Sequence, residues 1–107
     1  MATLSSYSDS RLLDLIRQND QQALEIIFDR YWAPLFDFIF ARVRSLDSSK
    51  VIVEEIFVAL WLKRRHLSTS NLRDYLYADA HNRSLEYLDE PVKALPEEKR
   101  DELTSIF

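Results

Sequence analysis

Apolar and polar residues recur along this chain with helical spacing, and no stretch shows the strict alternation of a strand. From Asp9, Leu12, Leu13, Leu15 and Ile16 give one apolar side, so a first helix is predicted over 9–18 with Ser8 or Asp9 as its cap. Asn19 or Asp20 stops it and starts a second helix over 21–44. Its apolar set is Leu24, Ile27, Phe28, Tyr31, Leu35, Phe38, Ile39 and Phe40. Pro34 lies inside that run and has no amide proton, which predicts a kink or break near Arg30–Pro34. A third helix is expected over 49–65 behind a Ser48 or Asp47 cap. A fourth is expected over 71–88, capped by Asn71 and closed by Pro91. Pro96 suits the first turn of a last helix over 96–107, with Glu97 and Glu98 facing its N-terminal dipole.

These elements predict an all-α bundle of four to five helices. Residues 1–90 form the helical domain, and 91–107 a linker or short helix. Composition agrees: there is no Gly, and Pro occurs only at 34, 91 and 96, too few turn residues for a β-rich fold. With 107 residues the chain can bury one core of modest stability. There is no Cys, which excludes disulfides, thiolate nucleophiles and Cys-based metal sites. The N-terminus lacks the basic start and apolar run of a secretory signal, and no apolar run approaches membrane-spanning length. A cytoplasmic protein without membrane insertion is expected.

Projection at about 100° per residue sorts the helix faces. On the third helix Ile52, Ile56, Phe57, Leu60 and Trp61 fall together as core. Val51, Val58 and Leu62 form a second line beside Glu54 and Glu55. That line is either a docking ridge for another protein or a surface covered by the domain itself. On the fourth helix Leu76, Tyr77, Ala80, Ser84, Leu85, Tyr87 and Leu88 share the side expected to be buried. Tyr75, Asp79, Asn82, Arg83, Glu86, Asp89 and Glu90 lie opposite. Tyr75 either stacks on an unpaired base or packs against a neighbouring element.

No catalytic constellation stands out. His66 and His81 are the only histidines and lie on different elements, so no metal site is expected. Glu54 and Glu55 are adjacent and point about 100° apart, so they do not converge as an acid–base pair. No Gly-rich loop exists to cradle a phosphate. The chain is read as a non-enzyme with no cofactor. Lys63, Arg64 and Arg65, beside His66, either stabilise a helix end or grip a phosphate backbone. With Arg42 and Arg44 they make a basic patch if the two clusters converge. Net charge is −4; residues 1–70 carry nine basic and nine acidic side chains, residues 71–107 five and nine.

Three segments, DQQALEIIFDRYWAPLFDFI at 20–39, KVIVEEIFVALW at 50–61 and NLRDYLY with HNRSLEYL at 71–88, resemble in order and spacing region 2 of extracytoplasmic-function bacterial sigma factors. The resemblance covers about residues 12–90. It implies a sigma region 2-like fold that docks on the coiled coil of the large subunit of core RNA polymerase and contacts the melted promoter −10 element. It also implies an anti-sigma-type protein as a further partner. On that resemblance Glu54, Glu55, Val58 and Leu62 become polymerase-contact residues. Arg73, Tyr75, Tyr77, His81, Asn82 and Arg83 become contacts to single-stranded promoter DNA, with Lys63, Arg64 and Arg65 beside them. The chain departs from the family by carrying Asp89 and Glu90 where the family has Arg or Lys. The alternative is therefore a helical protein-interaction domain of this descent that has lost promoter binding.

Overall fold

The structure is a computed structural model that describes residues 6–89. Four helices are present: α1 Asp9–Arg17, α2 Gln21–Val43, α3 Leu46–Lys63 and α4 Leu72–Asp89. Each starts on a polar cap. The Ser8 side chain accepts from the Arg11 amide, Asp20 from Gln22 and Ala23, and Ser45 from Ser48. Asn71 Oδ1 accepts from the Asp74 amide at 3.0 Å. These side chains satisfy amide protons that the first helical turn leaves without partners.

A chain without glycine must make its left-handed turns with other residues. Asn19 (φ 69°) and Arg44 (φ 63°) do so, within connections of three residues (18–20) and two residues (44–45). Asn tolerates this conformation; Arg carries a steric cost there. The tight turns fold α1 back on α2 and α2 back on α3.

Every fourth residue of α2 from Ala23 to Val43 is buried: Ala23, Ile27, Tyr31, Leu35, Ile39 and Val43. A line of four-residue steps precesses by about 40° per step around a helix. Over this length it meets several neighbours in turn, and α2 packs on α1, α3 and α4. Helices α3 and α4 also touch each other, so α2, α3 and α4 pack in a triangle with α1 covering one end. The interior holds Leu12, Leu13 and Ile16 of α1, Ile52, Val53, Ile56, Phe57 and Leu60 of α3, and Leu72, Leu76 and Ala80 of α4. Each buried Leu or Ile contributes about 1.5–3 kcal/mol, against roughly 0–1 kcal/mol for an exposed ion pair. Apolar burial therefore holds this fold.

Several expectations are corrected. Helix α2 does not break: it runs unbroken from Gln21 to Val43 with Pro34 inside. Pro34 is exposed, so its missing amide bond lies on the solvent side, while Tyr31 and Leu35 are anchored in the core. Helix α3 begins at Leu46 behind Ser45, three residues before the expected start, because the Ser45 side chain can reach the Ser48 amide. It ends at Lys63 rather than at Arg65. On α4 the buried set is Leu72, Leu76, Ala80 and Ser84. Leu85 and Leu88, expected inside, are 44% and 41% exposed, because the packed stripe is narrower than the projected apolar side. The expected last helix over 96–107 lies outside the described residues.

Candidate functional site

The long α2 carries a second line beside its buried one. Leu24, Phe28, Trp32 and Phe36 follow each other at four-residue steps, and this line faces α3. The rings of Phe28 and Phe57 meet edge to face at 4.9 Å and form the floor between the two helices. Around that contact runs a groove. One part, about 460 Å³, is lined by Leu24, Glu25, Phe28, Asp29, Phe57, Val58, Trp61 and Leu62. A second, about 310 Å³, continues along Phe28, Trp32, Phe36, Lys50, Val53 and Glu54.

Val58 and Leu62, 58% and 70% exposed on the α3 ridge, form the outer wall of the larger part of this groove, and Val51, 51% exposed, lies on the far side of the ridge. Among the described residues, no part of the domain covers this line. Trp32 is 46% exposed on the opposite wall. Beyond the ridge a depression of about 380 Å³ holds Glu54, Glu55, Ala59 and Arg83. Carboxylates dominate the rims: Glu25, Asp29, Glu54 and Glu55 are exposed, and Lys50 stands at one end. A surface of this kind accepts an apolar strip with flanking cations; it has no convergent polar groups for chemistry. Among the described residues no group of three His, Asp or Glu side chains could hold a metal ion.

The residues expected at nucleic acid do not form one surface. On α4, Arg73, Tyr77 and His81 follow at four-residue steps on one flank; Tyr77 meets Phe38 of α2 edge to face at 5.2 Å, and Arg73 and His81 are exposed. Tyr75 and Asn82 project from the other flank of the helix. Tyr75 is half-buried against the core, so its packing reading holds; burial first, and the charge of Asp79 next, push its pKa up, with Arg83 acting against them. Arg83 is engaged internally. Its Nε donates to Asp79 at 3.0 Å and its Nη1 to Glu55 at 3.2 Å, which clamps α4 to α3. Arg64 lies 3.9 Å over the Trp61 ring and donates to the Trp61 carbonyl and to Asn19 Oδ1 at 2.9 Å. Lys63, Arg65 and His66 are exposed at that end. Arg42 and Arg44 lie at the opposite end of α3, a helix of about 27 Å, so the two basic clusters do not converge.

The residues expected at a polymerase fare differently: Glu54, Glu55, Val58 and Leu62 all sit on the exposed ridge or its flank. Sequence reasoning missed the opposite wall. Leu24, Phe28, Trp32 and Phe36 were legible as a four-residue repeat beside the core line, but a repeat next to a core line reads as more core. Phe57 and Trp61, assigned to the interior, also line the groove. No helix among the described residues is long and apolar enough to cross a membrane.

No family model, no curated protein and no solved structure matches this chain. The terms transcription, transcription regulation, sigma factor, DNA-binding, RNA polymerase binding and bacterial, which the resemblance suggested, are corrected on that finding: what stands is an all-α bundle of four helices among the described residues.

Proposed function

We propose that this chain is a helical protein-interaction module whose α2/α3 face receives an amphipathic helix of a partner. The observation that carries the reading is the exposed pair Val58 and Leu62 beside the Phe28–Phe57 floor, with exposed Trp32 farther along the same groove. Burying large apolar side chains on both walls supplies the affinity, and the aromatic rings act as anchors. The acidic rim selects a helix flanked by Lys or Arg and speeds its approach. In this reading the bundle is of the sigma region 2 kind, on the strength of the motifs at 20–39, 50–61 and 71–88, and serves for docking alone. The Cys-free composition suits a cytoplasmic setting.

The test is a titration of the full chain with designed amphipathic helices. One carries leucines at positions i, i+3, i+4 and i+7 with lysine flanks; a second has glutamate flanks. A peptide of the polymerase large-subunit coiled coil, the partner that the resemblance implies, is offered beside them. Binding of the lysine-flanked helix with a blue shift of tryptophan emission is expected. Equal binding of both designed helices, or of neither, refutes the module as described.

A further inference from the structure

We propose that residues 96–107 of this same chain, folded as a helix, occupy the α2/α3 groove and hold it closed until a partner displaces them. The inference rests on the reading of that groove as a docking surface and names its resident competitor.

Residues 90–107 lie outside the described ones, and their sequence supplies what the groove requires. Projected at about 100° per residue over 96–107, Lys99, Arg100, Ile106 and Phe107 all fall within about 60° of Leu103. Glu97, Glu98, Asp101 and Glu102 fall about 100° or more away from it. Net charge does not select this segment, which holds four carboxylates against two cations. Their arrangement does. One face joins three apolar side chains to both cations, and all four carboxylates lie off it. The groove, with Glu25, Asp29 and Glu54 on its rims, accepts a strip of this kind.

The order of residues along the segment also fits. Helix α4 ends at Asp89, and just before that end the Ser48 hydroxyl of α3 donates to the Tyr87 hydroxyl at 3.4 Å. The segment therefore sets out beside the Lys50 end of the groove. To enter it, residues 90–95 must round α3, a rod about 10–12 Å across, and six residues reach at most about 20 Å. Entering there and running with α3 sets Lys99 and Arg100 level with Glu54 and Trp32. Leu103 then falls at the Phe28–Phe57 contact, and Ile106 and Phe107 reach Trp61 and Leu62. The reverse direction would first require the link to run the length of the groove, beyond its reach. Any helix of this length fits the groove; the covalent link singles this one out, because a tethered segment meets its site at an effective concentration on the order of millimolar.

The test uses the full chain. Leu62→Cys with Phe107→Cys introduces the only two thiols, since the sequence has no cysteine. In glutathione disulfide this pair is expected to close within one chain about tenfold faster than Leu62→Cys with Ser105→Cys, whose second thiol lies on the opposite side of the segment. Both tryptophans of the chain, Trp32 and Trp61, line the groove and report its occupancy. Leu103→Asp with Phe107→Asp is expected to shift their emission to the red. It should also tighten binding of the lysine-flanked helix about two- to threefold, the gain when a groove closed for about half to two thirds of the time is freed. Lys99→Glu with Arg100→Glu, which keeps the apolar side chains, should move both readings in the same direction. Equal closure rates for the two cysteine pairs, or emission and affinity that do not move, overturn the proposal. Disulfide-linked dimers in place of closed monomers overturn it too, since they put a second copy in the groove. The docking reading is scored separately. If the cysteine pairs close equally while the lysine-flanked helix still binds, the resident segment alone is struck; if the Phe107 pair closes fast and no helix binds the Leu103→Asp, Phe107→Asp chain, the docking reading alone is struck.

Discussion

Arg83 of α4 spends its guanidinium on two carboxylates of different helices, Asp79 one turn before it and Glu55 across on α3. The residue that the resemblance assigned to promoter DNA and one that it assigned to polymerase thus hold each other. Glu55 is 55% exposed at its side chain and Arg83 24%, so the inter-helix pair is worth little, about 0.2–1 kcal/mol. Replacing Arg83 by Gln is expected to lower stability by about 1 kcal/mol, because Asp79, 22% exposed, also loses its partner. Urea unfolding measures it. The companion Glu55→Gln should cost less, since Arg83 keeps Asp79; a larger loss from Glu55→Gln would contradict this ranking.

Tyr31 gives the chain an alkaline limit. Burial, then the hydrogen bond to Asp9 and the charge of Asp9, push its pKa up to about 12 from 10. The folded value is raised, so the stabilisation is fully present below pH 10 and is lost as pH climbs from 10 through about 12. Tyr31→Phe removes this loss along with the hydrogen bond. The variant is expected to be less stable by about 1.5 kcal/mol at neutral pH, the scale of a bond to a charged group, and to lose less on going to alkaline pH. Tyr75 is also raised and remains in the variant, so some alkaline sensitivity persists. Unfolding curves at pH 8 and pH 11 decide; parallel losses in both proteins would remove Tyr31 as the cause.

Arg44 sits at φ 63° and its amide donates to the Phe40 carbonyl at 2.9 Å. This is the ordinary i→i−4 bond of the last helical turn, and neither it nor the left-handed turn after it needs a side chain at 44. Arg44→Gly keeps the bond and relieves the Cβ clash, so a gain of up to about 1 kcal/mol is expected, offset in part by the greater freedom of glycine in the unfolded chain. A rise in the denaturation midpoint is the readout. Arg44→Val, which tolerates this conformation worse, should move it the other way.

The places where sequence and structure agree or part have physical causes. The four helices of the described residues, the Asp20 and Asn71 caps, and the line of Val51, Val58 and Leu62 were legible because each depends on local spacing, whereas whether that line faced outward was not. The start of α3 was not, since Ser45, Asp47 and Ser48 are all competent caps and only packing of Ser49 and Ile52 chooses among them. Pro34 misled because its cost depends on which way the ring faces, and that is set by Tyr31 and Leu35 on the core side. The partners of Arg83 and Arg64 were illegible for a related reason: an ion pair between α3 and α4, or a contact between α3 and the turn at Asn19, depends on how the helices pack. The groove was hidden because an aromatic such as Phe28, 37% exposed, has the same periodic signature as one fully enclosed.

Docking on the α2/α3 face makes a demand that stability alone does not. Val58 is 58% exposed and Leu62 70%, so Val58→Asp and Leu62→Asp should fold with stability within about 0.5 kcal/mol of the parent. Ile56 is fully buried on the same helix, and Ile56→Ala should cost about 2–5 kcal/mol. For a lysine-flanked helix the order reverses. Val58→Asp places a charge on the wall of the groove and is expected to abolish binding, where Trp32→Ala, which removes an anchor, weakens it at least tenfold, about 1.4 kcal/mol or more. Added salt should weaken binding to the parent further, because the rim carboxylates act over a distance that ions screen. Calorimetric titration of each folded variant provides the comparison. If Val58→Asp binds as tightly as the parent, the ridge is only an exposed strip of a helical bundle.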